Sequence, residues 1–215
     1  MLKQPNFAIV YGAFYAVDTF FWMSGLLMAF LFIKELQARD GKVNWGLVYF
    51  HRFWRLTPIY MFCLFLIWSY TRYCGDGPLW WMADGINNDC KEHWWNNLIY
   101  LNNFLPDYKW SGCMGWSWYL ANDMQFFVIS PPFLYLYHKV SRLIGWVVVA
   151  ALIIIHILSA ALISRHFHLN VVILSPNPYY MEYYYVKPYC RVGAYAVGIA
   201  VGMILFSFRH WKATG

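Results

Sequence analysis

The sequence predicts an all-α protein whose helices are embedded in a membrane. Hydrophobic residues make up 61% of the 215-residue chain and charged residues only 12%, about half of the roughly 25% that soluble domains carry. Five stretches are apolar over about the 20 residues that a helix needs to cross a hydrocarbon core. Basic residues stand at the ends of these stretches. Together these observations favour a polytopic membrane domain over a soluble one.

The five predicted membrane helices follow one another along the chain. They cover residues 8–33, 56–73, 118–137, 143–163 and 192–208. The first is interrupted only by Asp18, and the third contains Asp123 and a proline pair, Pro131 and Pro132, that should kink it. The fourth is the most uniformly apolar, and the fifth is rich in glycine and alanine.

The connections between these helices predict the orientation of the chain. Segment 34–55 is short and basic, which is typical of cytosolic loops. Segments 74–117 and 164–191 are longer, and we expect both on the extracytoplasmic side. Segment 74–117 also holds Cys74, Cys90 and Cys113, which indicates an oxidising compartment. We expect a disulfide between Cys90 and Cys113, with Cys74 or Cys190 left free.

This orientation places residues 1–7 outside the cytosol, so we expect a further membrane crossing before them and a larger parent protein. The expected location is multi-pass in the endoplasmic reticulum or the plasma membrane. The net charge of +6 is scattered along the chain, which argues against nucleic-acid binding. The cysteines lack metal-ligand spacing, so we expect no metal site.

The first predicted helix carries a carboxylate and a small-residue pair. Because charged residues at membrane depth are costly, Asp18 is a candidate functional residue; the alternative is an acid at the membrane interface. On a helix Asp18, Trp22 and Gly25 share one face. Ser24 and Gly25 favour close helix packing, and the alternative is that they let a ligand approach the backbone.

Two arginines, Arg52 and Arg55, share a helical face just before the second apolar stretch. Guanidinium groups bind phosphates in bidentate fashion, so this pair could hold a phosphorylated ligand. Taken alone, the pattern favours the simpler interpretation that they anchor the helix on its cytosolic side.

Polar side chains also line the entry of the third predicted helix. Trp118, Asn122 and Gln125 lie on one face, with Asp123 beside them. This stripe favours the wall of a polar cavity over an aromatic belt at the interface, because a belt requires no amides or carboxylates. In the fourth helix we expect His156 to form an interhelical hydrogen bond rather than to transfer protons.

Four segments together resemble the acyltransferase-3 family, in particular its animal branch of nose-resistant-to-fluoxetine-like proteins. The first is VDTFFWMSGL at residues 17–26, and the second is HRFWRLTPIY at residues 51–60. The third is CMGWSWYLANDMQFF at residues 113–127, and the fourth is YVKPYCRVGAY at residues 185–195. Each segment is a weak signal alone, whereas four in order are specific.

The resemblance implies a membrane domain of about ten helices in complete members, each long enough to cross the bilayer. It implies transfer of an acyl group from acyl-CoA, a co-substrate, to a hydroxyl acceptor, with no bound cofactor. Ser24 and Gly25 would lie near the donor path, and Arg52 and Arg55 would contact the donor. This shifts our interpretation of the two arginines from anchors to phosphate ligands.

The same resemblance implies that Asp18, Asp123 and Gln125 support catalysis by shaping the polar cavity. The chain departs from bacterial relatives, which have His at Trp116 and Glu at Asp123. The family's catalytic histidine lies on a helix upstream of segment 17–26, and nothing before Phe7 supplies it. We therefore expect a fragment without turnover of its own.

The alternative function is a membrane protein that transports or handles lipids or small molecules without catalysis. Both functions require a polar cavity within the membrane, and the sequence separates them poorly. Expected partners are membrane lipids and acyl-CoA, and no nucleic acid.

Overall fold

The computed structural model describes residues 5–71, 73, 75, 81–104, 113–169 and 179–214. These residues contain six α-helices: α1 (Pro5–Ala38), α2 (Trp45–Tyr70), α3 (Trp81–Leu98), α4 (Trp118–Lys139), α5 (Arg142–His166) and α6 (Val192–Thr214). Gly115–Ser117 and Pro188–Cys190 are 3-10 turns, and Tyr180–Tyr185 is a π-helical turn. No strand occurs among the described residues, and the predicted all-α class is confirmed.

Two of the helices that the structure describes are long and apolar enough to cross a membrane. They are residues Ala16–Ala38 of α1 and the whole of α5, and Val192–Phe208 in α6 is a shorter apolar helix. These helices fit a membrane-embedded helical domain. The arrangement with five spans remains a prediction.

Helix α2 begins eleven residues before its predicted start at residue 56. The side chain of Asn44 caps the helix by accepting a hydrogen bond from the Leu47 amide at 3.2 Å, which satisfies one of the unpaired N–H groups of the first turn. The apolar-run criterion missed this start because His51, Arg52 and Arg55 interrupt the apolar sequence between Trp45 and residue 56. As a result, Arg52 and Arg55 lie within a continuous helix.

Helix α3 occupies much of segment 74–117, which hydropathy predicted to be a loop. Three contacts run in antiparallel order along α2: Leu64 packs against Cys90, the Tyr60 hydroxyl donates to Asn97 at 2.8 Å, and Thr57 bonds to Tyr100 at 3.0 Å. The helix is polar along most of its length, so an apolar-run criterion could not detect it. One of its polar side chains, that of Asn97, is hydrogen-bonded to α2.

The described chain forms two compact units, one of residues 1–43 and 125–215 and the other of residues 44–124. In the first unit, α1 and α6 pack closely through three glycines, Gly25, Gly198 and Gly202. A Cβ atom at any of them would lie closer than 3.0 Å to backbone or side-chain atoms of the facing helix. Small residues allow this approach of two helix backbones, and the packing interpretation of Gly25 agrees with it.

The second unit has a small apolar cluster fastened by a disulfide. Leu64, Cys90 and Cys113 form its buried centre, and Cys90 is bonded to Cys113 as predicted. Cys63 and Cys190 are free thiols, whereas Cys74 lies outside the described residues. The disulfide joins α3 to the chain just before α4.

We expect the Cys90→Ser/Cys113→Ser double variant to lose about 3 kcal/mol of unfolding free energy. The disulfide closes a loop with a sequence separation of 23 residues. A disulfide typically stabilises the folded protein by about 2–4 kcal/mol. Thermal unfolding in detergent with and without reductant measures the loss. The control is Cys63→Ser, since Cys63 forms no disulfide. An unchanged midpoint in the double variant would contradict the expectation.

Candidate functional site

The unit of residues 44–124 brings two sequence-predicted site residues together. Arg52 of α2 donates from Nη2 to the Oδ2 atom of Asp123 in α4. Both side chains are largely enclosed, with 15% and 14% of their surfaces exposed. The two residues are 71 positions apart in the sequence. The pair therefore connects the segment at residues 51–60 with the segment at residues 113–127.

The same unit holds further buried polar side chains. The Tyr100 hydroxyl bonds to Thr57 at 3.0 Å, and burial raises the pKa of the Tyr100 phenol, partly offset by the Thr57 hydrogen bond and the charge of Arg52. Nδ2 of Asn103 donates to Oδ1 of Asn122 at 2.6 Å, and neither side chain reaches solvent. Such buried polar groups keep defined positions because each needs its partner.

The other predicted residues of this region differ in exposure. Trp118 is buried with 4% of its surface exposed, whereas Arg55, one turn after Arg52, is exposed. Trp116 exposes 49% of its surface. Gln125 is half-buried and belongs to the other unit. Two of the polar residues that we predicted on one helical face, Trp118 and Asn122, are thus enclosed.

The unit of residues 1–43 and 125–215 contains a second buried ion pair. Nη1 of Arg191 donates to both carboxylate oxygens of Asp18, at 3.0 and 2.9 Å. Only 6% of the arginine side chain is exposed, against 31% of the aspartate side chain. The carboxylate of Asp18 is therefore engaged as a counter-ion.

A π-helical turn positions the rest of the Arg191 environment. Nε of Arg191 donates to the carbonyl oxygen of Tyr185 at 3.0 Å, and the guanidinium carbon lies 4.4 Å from the centroid of the Tyr185 ring. Tyr185 is the last residue of the π-helical turn Tyr180–Tyr185. Such turns are rare and recur at functional sites. Burial raises the pKa of the neighbouring Cys190 thiol to about 11, which makes it a poor nucleophile at neutral pH.

Two further predictions concern the same unit. The imidazole of His156 lies against the backbone of Gly193, where an added Cβ atom would clash with the ring. Its Nδ1 atom is buried and has no hydrogen-bond partner among the described residues. The carbonyl of Tyr195 occupies the space beside Gly25, so a ligand near Ser24 would have to approach from another side of α1.

Sequence reasoning missed Arg191. A single arginine directly before an apolar helix has the pattern of an ordinary membrane anchor, and only the fold brings it to Asp18. Among the described residues, no group of three or more histidine, cysteine, aspartate or glutamate side chains is arranged to hold a metal ion.

The helices, the apolar spans and the two buried ion pairs describe a helical membrane domain with polar groups inside it. Residues 1–215 match a family described as an acyltransferase domain, and the chain belongs to this acyltransferase-3 family. It is similar to nose resistant to fluoxetine protein 6 of Caenorhabditis elegans, at 33% identity over 223 residues that cover 94% of this chain and 27% of that protein. The chain thus spans about a quarter of that relative's length. No solved structure matches it.

Proposed function

We propose that this domain belongs to a multi-pass membrane O-acyltransferase, which transfers an acyl group from acyl-CoA to a hydroxyl acceptor. Membership of the acyltransferase-3 family supports acyl transfer. The observation that carries the site assignment is the enclosed pair of Arg52 and Asp123. It joins two of the motifs on which the family resemblance rests.

A buried ion pair is a poor device for stability, since desolvation of the two charges offsets their attraction. Charged groups in a membrane domain are usually retained for function. In this domain Asp123 holds the guanidinium of Arg52 in one position. An arginine that is fixed before a ligand arrives loses less side-chain entropy on binding.

Arg52 and Arg55 differ in exposure, and we assign them different roles for that reason. Arg55 is exposed and forms no ion pair with any described residue, so its guanidinium is available for the phosphates of acyl-CoA. Arg52 forms the inner side of the same surface. Asp123 positions Arg52, and Trp118 and Asn122 are buried in the same unit. Because Asp18 and Asp123 each neutralise an arginine, we assign neither of them as the general base.

Donor binding tests this assignment directly. We expect Arg55→Gln to weaken the binding of octanoyl-CoA to the chain in nanodiscs at least tenfold, because hydrogen bonds to charged groups contribute about 1.5–3 kcal/mol. The matched control is Arg39→Gln, since Arg39 is an exposed arginine that pairs with Glu35, four residues before it. Titration calorimetry measures both affinities, and equal losses in the two variants would contradict a specific phosphate site.

Two further measurements test the positioning role of Asp123 and distinguish acyl transfer from the alternative function. We expect Asp123→Asn to weaken octanoyl-CoA binding through Arg52. Because removing one partner of a buried ion pair also destabilises the protein by about 3–5 kcal/mol, the affinity is measured well below the melting midpoint of the variant. Free coenzyme A should compete with octanoyl-CoA. Competition by phospholipid but not by coenzyme A would instead favour the alternative function, transport or handling of lipids without catalysis.

A further inference from the structure

A cavity of about 500 Å³ lies where the end of α4, the beginning of α5 and the end of α6 meet. Its lining consists of Tyr137, Arg142, Trp146, Ile204, Ser207 and Phe208. All of these residues belong to the unit of residues 1–43 and 125–215. None of them has a role in the proposed acyl-transfer function.

The lining combines one cation with apolar and aromatic walls. Arg142 is exposed and forms no ion pair within the part of the chain that the structure describes. It is the first residue of α5, where a cation faces the positive end of the helix dipole. This position is unfavourable for the helix itself. The guanidinium of Arg142 makes the mouth of the cavity attractive to an anion.

The inner wall of the cavity is fixed by packing. Tyr137 exposes only 6% of its surface and lies against Gly145, where an added Cβ atom would come closer than 3.0 Å to the tyrosine. The outer edge is open, since Trp146 exposes 40% and Phe208 60% of their surfaces. A tryptophan and an arginine beside apolar helix surface are typical of the membrane–water interface.

These features define the chemistry of a ligand. The volume lies within the range of about 300–1,000 Å³ that small-molecule cavities show, and the walls suit a hydrocarbon chain. The opening suits a single negative charge. We propose that the cavity binds an anionic phospholipid, with its phosphate on Arg142 and one acyl chain between Tyr137, Ile204 and Phe208.

Native mass spectrometry of the 215-residue chain in detergent tests the site. The probes are phosphatidylglycerol and phosphatidylcholine with identical acyl chains. We expect the wild-type chain to retain phosphatidylglycerol preferentially, and Arg142→Gln to reduce that preference about tenfold, the effect of losing a hydrogen-bonded charge. Arg165→Gln is the control, because Arg165 is an exposed arginine in the last turn of the same helix.

A second variant tests the chain-binding part of the cavity. Ser207→Trp fills the space between α5 and α6 and should abolish retention of both lipids. If that variant fails to fold, Ser207→Leu should show the same loss in part. Equal effects of Arg142→Gln and Arg165→Gln would overturn the proposal. So would displacement of the lipid by inorganic phosphate alone, which would identify a site for the free anion.

Discussion

Replacing Gly198 by alanine is expected to lower the unfolding free energy by about 1–3 kcal/mol, the usual cost of overpacking. The added methyl group would meet the carbonyl of Trp22 and the amide of Leu26. These are backbone atoms of a helix, which cannot change rotamer to relieve the contact as a flexible side chain can. The contact between α1 and α6 would therefore have to open along its length.

Thermal unfolding of the purified chain in detergent measures this effect. Gly46→Ala is the matched control, because the new Cβ atom there would meet only Oδ1 of Asn44, at an ordinary 3.6 Å. Removing a helix glycine without a clash should stabilise the protein by about 0.5–1 kcal/mol. We expect the combined Gly25→Ala/Gly198→Ala variant to fall below either single variant. A Gly198→Ala protein as stable as wild type would refute close α1–α6 packing.

Replacing Asp18 by leucine should destabilise the protein by about 3–5 kcal/mol, the cost of breaking a buried ion pair. The variant removes the carboxylate that accepts two hydrogen bonds from Arg191, whose side chain is only 6% exposed. The double variant Asp18→Leu/Arg191→Leu should recover much of the loss, because no charge is then buried.

An exposed ion pair at the C-terminal end of α1 supplies the comparison. Glu35 and Arg39 are paired with more than half of each side chain exposed, and such pairs contribute about 0–1 kcal/mol. Glu35→Leu should therefore have a much smaller effect than Asp18→Leu. A double-mutant cycle from chemical denaturation gives the coupling energy of each pair. Equally small coupling energies for Asp18–Arg191 and Glu35–Arg39 would contradict the expectation that burial strengthens the Asp18–Arg191 pair.

The accuracy of the sequence-based prediction follows from how each helix is stabilised. Helix α5 was predicted closely, because its surface is apolar all round and hydropathy alone identifies it. Helix α3 was missed because its apolar content is low, and its contact with α2 includes a hydrogen bond between Asn97 and Tyr60. The extension of α2 back to Trp45 depends on the cap by Asn44, a local signal that an apolar-run criterion does not weigh.

The candidate site was likewise predicted only in part from the sequence. Asp18 was selected because charge inside an apolar sequence is costly, Arg52 because it shares a helical face with Arg55, and Asp123 because it stands beside a polar stripe. The pairing of Arg52 with Asp123 and of Asp18 with Arg191 was not predicted, because contacts across 71 and 173 positions of sequence depend on how the helices pack. Arg191 was overlooked for this reason, since its pattern is that of a membrane anchor.

The disulfide between Cys90 and Cys113 also determines the consequence of proteolytic cleavage between these two residues. The residues between the two cysteines form a closed ring, so a protease that cuts once within the ring produces a nicked protein whose two pieces stay attached. Only reduction releases them. A break of the chain in this region therefore need not separate α2 and α3 from the helices that follow.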